Sequence, residues 1–72
     1  MYNKHMDAKK LGKKIKLLRI ELDLHQEQLA EKIKSNQKSI SRFENGESIP
    51  SLQTLEKLAK ALKKPPSYFI DN

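Results

Sequence analysis

The sequence predicts an all-α fold, a compact bundle of five short helices. Apolar residues recur every three or four positions in each half of the chain, as on one face of a helix, and neither strand alternation nor an internal repeat is visible. Capping residues and helix breakers divide these patterns into five segments. The 72 residues suffice for one small core but not for an enzyme cleft of useful size, so we do not expect an enzyme.

The first predicted helix begins after Asp7, whose side chain can cap it. Its core stripe has spacings of four, three and four residues and consists of Leu11, Ile15, Leu18 and Leu22. Leu17 and Ile20 lie off this stripe, so they either pack peripherally against the N-terminal arm or form a contact surface. Asp23 is expected to end the helix because aspartate tolerates left-handed backbone geometry better than most residues.

Residues 26–44 predict two short helices joined by a tight turn. The first of the two begins near Gln26, and its buried face consists of Leu29, Ala30 and Ile33. The second spans residues 37–44, with Asn36 as its N-cap and the pair Asn45-Gly46 as its stop, since glycine adopts a positive φ freely. Ile40 and Phe43 are expected to point into the core.

The outward face of this third helix is entirely polar. At about 100° per residue, the side chains opposite the core are Gln37, Lys38, Ser41 and Arg42. All four carry hydrogen-bonding groups of the kind that contact base edges in a DNA major groove. The pattern therefore indicates a helix-turn-helix that recognises DNA.

The C-terminal third predicts a longer and a shorter helix after a connecting loop at residues 47–50. Ser51 can cap the longer one, whose inward residues are Leu52, Leu55, Leu58, Ala59 and Leu62. Pro65-Pro66 blocks its continuation, and Pro66 is expected to start the short fifth helix. Phe69 is expected to close the core, whereas Tyr68 and Ile70 are alternatively candidates for a two-fold dimer contact.

Composition limits the partners and cofactors. Lys and Arg outnumber Asp and Glu by 15 to 9, which gives a net charge of +6 and favours phosphate-rich partners. The chain has no cysteine, which excludes a disulfide framework, and with only His5 and His25 we expect neither a metal nor a cofactor. No apolar run resembles a signal peptide or a membrane span, so we expect a cytoplasmic protein without a membrane partner.

Two long segments resemble a known family. The runs LGKKIKLLRIELDLHQEQLAEKI and SISRFENGESIPSLQTLEKLAKAL resemble the lambda-repressor-like, Cro-type helix-turn-helix domains of the xenobiotic-response-element (XRE) family of bacterial and phage regulators. The resemblance covers roughly residues 11–70. It implies a lambda-repressor-like, five-helix DNA-binding domain over residues 7–72. Residues 1–6 are expected to form a flexible N-terminal arm, or alternatively a basic arm that follows the DNA groove, as Lys4, Lys9 and Lys10 would allow.

The resemblance also implies roles for individual residues. The residues expected to contact bases are Gln37, Lys38, Ser41 and Arg42, and those expected to contact phosphates are Gln26, Asn36, Ser39 and Asn45. Arg19 and Glu44 are expected to form a structural ion pair that orients the third helix. The sequence departs from the family at Lys34, where members usually carry glycine, and at His25, where they carry serine or threonine. Lys34 is therefore expected either to adopt a strained backbone or to change the turn.

The function that these features predict is a sequence-specific transcriptional regulator, a repressor that docks as a homodimer on double-stranded DNA at a pseudo-palindromic operator. One alternative is an antitoxin or another protein-interaction module of the same fold, with a toxin or anti-repressor as its protein partner. Another is non-specific binding of nucleic acid through the lysines. The family resemblance implies a bacterial or phage gene and a nucleoid-associated protein.

Overall fold

The computed structural model describes residues 7–70, which form five helices and no strand. The helices are α1 (Ala8–Glu21), α2 (Gln26–Lys32), α3 (Gln37–Glu44), α4 (Leu52–Ala61) and α5 (Ser67–Ile70). The predicted all-α fold is therefore confirmed. The predicted N-terminal arm at residues 1–6 lies outside the described residues.

Side-chain caps determine where three of the helices begin. The Asp7 carboxylate accepts hydrogen bonds from the backbone N–H groups of Lys9 and Lys10 at the start of α1. Asn36 caps α3 by accepting from the N–H of Ser39 at 2.8 Å, and Ser51 caps α4 through the N–H of Thr54. The three predicted caps are confirmed, and each satisfies a backbone donor that the first helical turn leaves unpaired.

Every helix contributes to the core. Its buried apolar residues are Leu11, Ile15, Leu18, Leu29, Ala30, Ile33, Ile40, Leu55, Leu58, Ala59, Leu62 and Phe69. Phe69 is 2% exposed and closes the core from α5, as predicted. Each large apolar side chain buried in this way contributes about 1.5–3 kcal/mol relative to exposure, so the core carries most of the stability of a domain this small.

The structure corrects the predicted core at its edges. Leu52, predicted to point inward, is 43% exposed because it is the first residue of α4 and lies one turn before Leu55, where the core begins. Leu22 and Phe43 are only partly buried and pack against the rim of the core. The short helix α5 begins at Ser67 rather than at Pro66, because the Pro66 carbonyl caps it by accepting from the N–H of Ile70.

Left-handed residues terminate four segments of the chain. The positive φ angles are 57° at Asp23, 56° at Lys34, 76° at Gly46 and 63° at Lys63. Asp23 and Gly46 were the expected positions. Lys34 keeps the tight turn between α2 and α3 that family members build with glycine, so of the two expected outcomes the strained backbone is the one observed. Only Gly46 adopts this conformation without a steric penalty from a Cβ atom.

Gly12 allows helices α1 and α3 to approach each other closely. A Cβ atom at this position would lie 2.3 Å from the carbonyl oxygen of Phe43 and 2.7 Å from that of Glu44. The absence of a side chain thus lets the backbone of α3 rest directly on α1. Within residues 7–70, no helix is both long enough and apolar enough to cross a membrane.

Candidate nucleic-acid interface

The outward face of α3 and the start of α2 form one open concavity. Its lining residues are Gln26, Gln37, Lys38, Ser41, Arg42 and Glu47. Gln37, Lys38 and Arg42 are exposed, and Ser41 is partly buried. The structure therefore brings the four predicted base-contacting residues together with Gln26 on one accessible surface.

Glutamine side chains connect the two helices of this unit. Gln26 donates from Nε2 to Oε1 of Glu44 at 3.0 Å, and its own Oε1 accepts from Nε2 of Gln37 at 3.3 Å. Gln26 thus joins the first residue of α3 to the last one across the α2 N-terminus. The two hydrogen bonds restrict the rotamers of Gln26 and Gln37 before any ligand binds.

An ion pair anchors the C-terminal end of α3 to α1. Arg19 donates to Glu44 from Nε at 2.6 Å and from Nη2 at 3.1 Å, and its Nη1 donates to the carbonyl of Leu24 at 2.7 Å. The side chains of Arg19 and Glu44 are 11% and 2% exposed, respectively. A two-point arginine–carboxylate pair fixes orientation as well as distance. Its geometry suits the positioning role expected for Arg19 and Glu44.

The remaining predicted phosphate-contacting residues lie at the two ends of α3. Asn36 is exposed, and its Oδ1 is engaged as the helix cap, which leaves its amide Nδ2 as the donor side. Ser39 is partly buried in the first turn. Asn45 is exposed at the opposite end, where its Nδ2 donates to Oγ of Ser41 at 3.5 Å. These residues flank the concavity rather than line it.

Glu47 also lines this surface, although the sequence patterns did not predict it. It follows Gly46, which takes positive φ after α3, and its backbone N–H donates to the Arg42 carbonyl at 2.9 Å. This helix-terminating pattern returns the chain along α3 and places Glu47 in the concavity as its only acidic lining residue within the described part. The signal was available, because glycine after a helix places the next residue beside the last turn.

The side chains that line the concavity are of the types that bind base pairs rather than of the types that catalyse a reaction. Glutamine pairs with adenine through two hydrogen bonds, and lysine and arginine donate to guanine. An α-helix with its side chains is about 10–12 Å across, which fits the major groove of B-DNA, about 12 Å wide. Within residues 7–70 there is no group of three histidine, cysteine or acidic residues that could hold a metal ion.

Together, the fold and this surface define a helix-turn-helix protein, a DNA-binding transcription regulator. Residues 15–69 match the model of a helix-turn-helix family, and the chain belongs to that family. The predicted family resemblance is therefore confirmed. Because the class binds DNA and is not an enzyme class, the expectation that the chain is not an enzyme is confirmed as well.

Solved structures of regulators share the fold over most of this chain. The P22 c2 repressor, in complex with a synthetic operator, is 30% identical and superposes with a TM-score of 0.82 over 85% of this chain and 92% of its own. The restriction-modification controller protein C.AhdI from Aeromonas hydrophila is 31% identical, with a TM-score of 0.84 over 93% and 99%.

A third structure, the hypothetical transcription factor NHTF from Neisseria, is 25% identical and covers 90% of this chain and 74% of its own, with a TM-score of 0.81. Comparison with curated proteins gave no match.

Proposed function

We propose that this protein is a sequence-specific transcriptional repressor that inserts α3 into the major groove of its operator. The observation that carries the proposal is the exposed polar face of α3, which Gln26 and the Arg19–Glu44 ion pair hold in a defined orientation. A helix that is pre-oriented loses less conformational freedom when it binds. The same surface without these contacts would favour only non-specific attraction.

The proposed roles follow from the position of each side chain. Gln37, Lys38, Ser41 and Arg42 contact base edges, because they lie along the exposed face that enters the groove. Asn36, Ser39 and Asn45, at the two ends of α3, and Gln26, at the start of α2, contact phosphates and set the register. Phosphate contacts supply affinity, and base contacts supply sequence preference.

We further propose that two copies bind together on a pseudo-palindromic operator. One α3 contacts only a few base pairs, so two-fold pairing is required for affinity and specificity. Tyr68 is 40% exposed and lines a shallow depression at the C-terminal end with Pro65, Ser67 and Ile70. This apolar surface suits a two-fold contact. With one α3 per half-site, the half-site centres would lie about 34–36 Å apart.

Repression and location belong to the same proposal. This chain matches nearly the full length of the P22 c2 repressor and of C.AhdI, which are both regulators by name. Their similarity supports a bacterial or phage-encoded regulator that acts on DNA in the cytoplasm. Repression requires an operator that overlaps a promoter, so that bound protein excludes the polymerase.

Selection from random duplex DNA at near-physiological salt tests the proposal. The parent chain is compared with Gln37→Ala/Lys38→Ala and with a matched control, Gln53→Ala/Lys57→Ala, which removes the same two residue types from the exposed surface of α4. We expect the parent and the control to enrich an inverted repeat. The α3 variant should lose about 1–3 kcal/mol for each base contact removed while retaining its helical content.

Two results would contradict the proposal. If no sequence is enriched by the parent, the chain is not a sequence-specific regulator. If the α3 variant enriches the same repeat with unchanged affinity, the base-contacting residues lie elsewhere.

A second candidate function is binding of a protein partner, a toxin or an anti-repressor, by the same fold. Leu17 and Ile20 on α1 favour it, since they are 56% and 50% exposed and are the most exposed large apolar residues within the described part. Under this alternative, Ile20→Ser would weaken binding of that partner and leave the enriched operator unchanged. Co-purification from the native host, followed by this variant, separates the two functions.

A further inference from the structure

A second groove lies between α1 and the C-terminal end of α3. Lys9, Lys13, Lys16 and Leu17 line it from α1, and Glu44 and Asn45 line it from α3. We propose that this groove binds the phosphate backbone of DNA beside the base pairs that α3 recognises. The inference rests on the proposed function and extends the DNA-contacting surface to a helix that lies outside the helix-turn-helix unit.

The charge of the groove supports an anionic ligand. Its three lysines are spaced four and three residues apart, so they lie along one face of α1. Among residues 7–70, none of the three forms an ion pair with a carboxylate. The Glu44 carboxylate in the groove is neutralised by Arg19 and is 2% exposed. The groove therefore presents three uncompensated positive charges.

The groove is continuous with the proposed DNA-binding surface. Asn45 lines it and also donates a hydrogen bond to Ser41, which lines the concavity on α3. Gly46 brings the turn after α3 against Lys9, since a Cβ atom at Gly46 would lie 2.8 Å from Cγ of Lys9. A DNA strand that passes the C-terminal end of α3 therefore meets the lysines of α1 next.

This continuity favours DNA over an acidic protein segment as the occupant. Among the described residues that line the groove, the only carboxylate, that of Glu44, is paired with Arg19, so the free charges around Leu17 are all positive. Three lysines around one leucine suit a sugar–phosphate backbone, in which charged oxygens alternate with apolar deoxyribose. Such contacts carry no base preference and act mainly on affinity.

The salt dependence of DNA binding tests the inference. Binding of the parent, of Lys9→Gln/Lys16→Gln and of the control Lys57→Gln/Lys60→Gln is measured on the selected operator at several salt concentrations. Both variants lose two positive charges, but Lys57 and Lys60 lie on α4, away from the groove. For each lysine–phosphate interaction that a variant removes, the slope of log K against log salt should decrease in magnitude by about 0.9.

Because the variant removes two lysines from each of the two bound copies, we expect a decrease of about 3.6 for the groove variant, or about 1.8 per copy. The control should show a much smaller decrease, and both variants should select the same sequence. Equal slopes for the two variants would overturn the inference, and so would a groove variant that no longer self-associates in the ultracentrifuge, because the groove would then be a contact between copies. If the parent itself selects no sequence, the proposed function fails first, and that failure is visible before any lysine is changed.

Discussion

Arg19 and Glu44 form a two-point ion pair across α1 and α3, and the same carboxylate accepts a third hydrogen bond from Gln26. One buried charge thus joins three helices at the margin of the candidate DNA-binding surface. The pair has two consequences, one for stability and one for the orientation of Gln26. Its removal should therefore affect folding and binding together.

Glu44→Ala should lower the free energy of unfolding by about 3–5 kcal/mol, because it leaves the guanidinium of Arg19 largely buried without its counter-charge. Urea denaturation followed by circular dichroism measures the loss. Arg42→Ala is the control, since Arg42 is exposed on α3 and its replacement should change stability by no more than about 0.5 kcal/mol. A Glu44→Ala variant as stable as this control would show that the pair contributes nothing to the fold.

Gly12→Ala should destabilise the protein although alanine is the better helix former by about 1 kcal/mol. The added Cβ would lie 2.3 Å from the Phe43 carbonyl oxygen, so α3 must move away from α1. We expect a net loss of about 1–3 kcal/mol in chemical denaturation, the usual cost of overpacking. Lys10→Ala, on an exposed position of the same helix, should cause no loss. A gain in stability at Gly12 would mean that the two helices can separate at little cost.

Lys34→Gly should stabilise the protein by up to about 1 kcal/mol, because lysine at φ 56° carries the steric penalty of left-handed geometry. This steric penalty is larger than the free-energy cost of the extra backbone entropy that glycine loses on folding. Chemical denaturation measures the resulting change in the free energy of unfolding. Lys32→Gly, two residues earlier and still within α2, provides the opposite control and should cost about 0.5–1 kcal/mol. If both replacements destabilise the protein equally, the turn holds no strain at Lys34.

The sequence sufficed to predict elements whose signals are local. The caps Asp7, Asn36 and Ser51 and the left-handed residue Gly46 depend on one or two neighbouring residues, and the structure confirms all of them. Lys63 ends α4 in the same left-handed conformation, with the N–H of Lys64 donating to the Ala59 carbonyl at 3.0 Å, but a lysine gives no sequence signal for it. The close approach of α3 to α1 could not be predicted either, because the pattern of one helix does not show which residue a second helix will contact. The requirement for glycine at Gly12 therefore appears only in the structure.

The candidate site likewise contains residues that local sequence patterns predict and one residue that they do not. Helical periodicity predicted that Gln37, Lys38, Ser41 and Arg42 share one face of α3, and the structure places all four on it. Periodicity ends with the helix, however. Glu47 enters the same concavity only because Gly46 redirects the chain, and a rule based on helical spacing does not reach it.

Glu47 should act against non-specific DNA. Its carboxylate lines a surface that otherwise carries only neutral or positive groups, so it repels any phosphate that approaches in the wrong register. At the operator, this repulsion is offset if the amino group of a cytosine or adenine donates a hydrogen bond to the Glu47 carboxylate. Glu47→Gln should therefore raise the affinity for random duplex DNA about two- to fivefold while raising the affinity for the operator less.

Glu56→Gln is the matched control for this prediction, because it changes the net charge equally but lies in a polar patch on α4 with Gln53 and Lys57. Fluorescence anisotropy on the selected operator and on a scrambled duplex gives the ratio of the two affinities for each variant. A fall in this ratio for Glu47→Gln alone would locate the discrimination at the concavity. Equal effects of the two variants would mean that only the net charge of the protein matters, and that Glu47 has no local role in recognising the sequence.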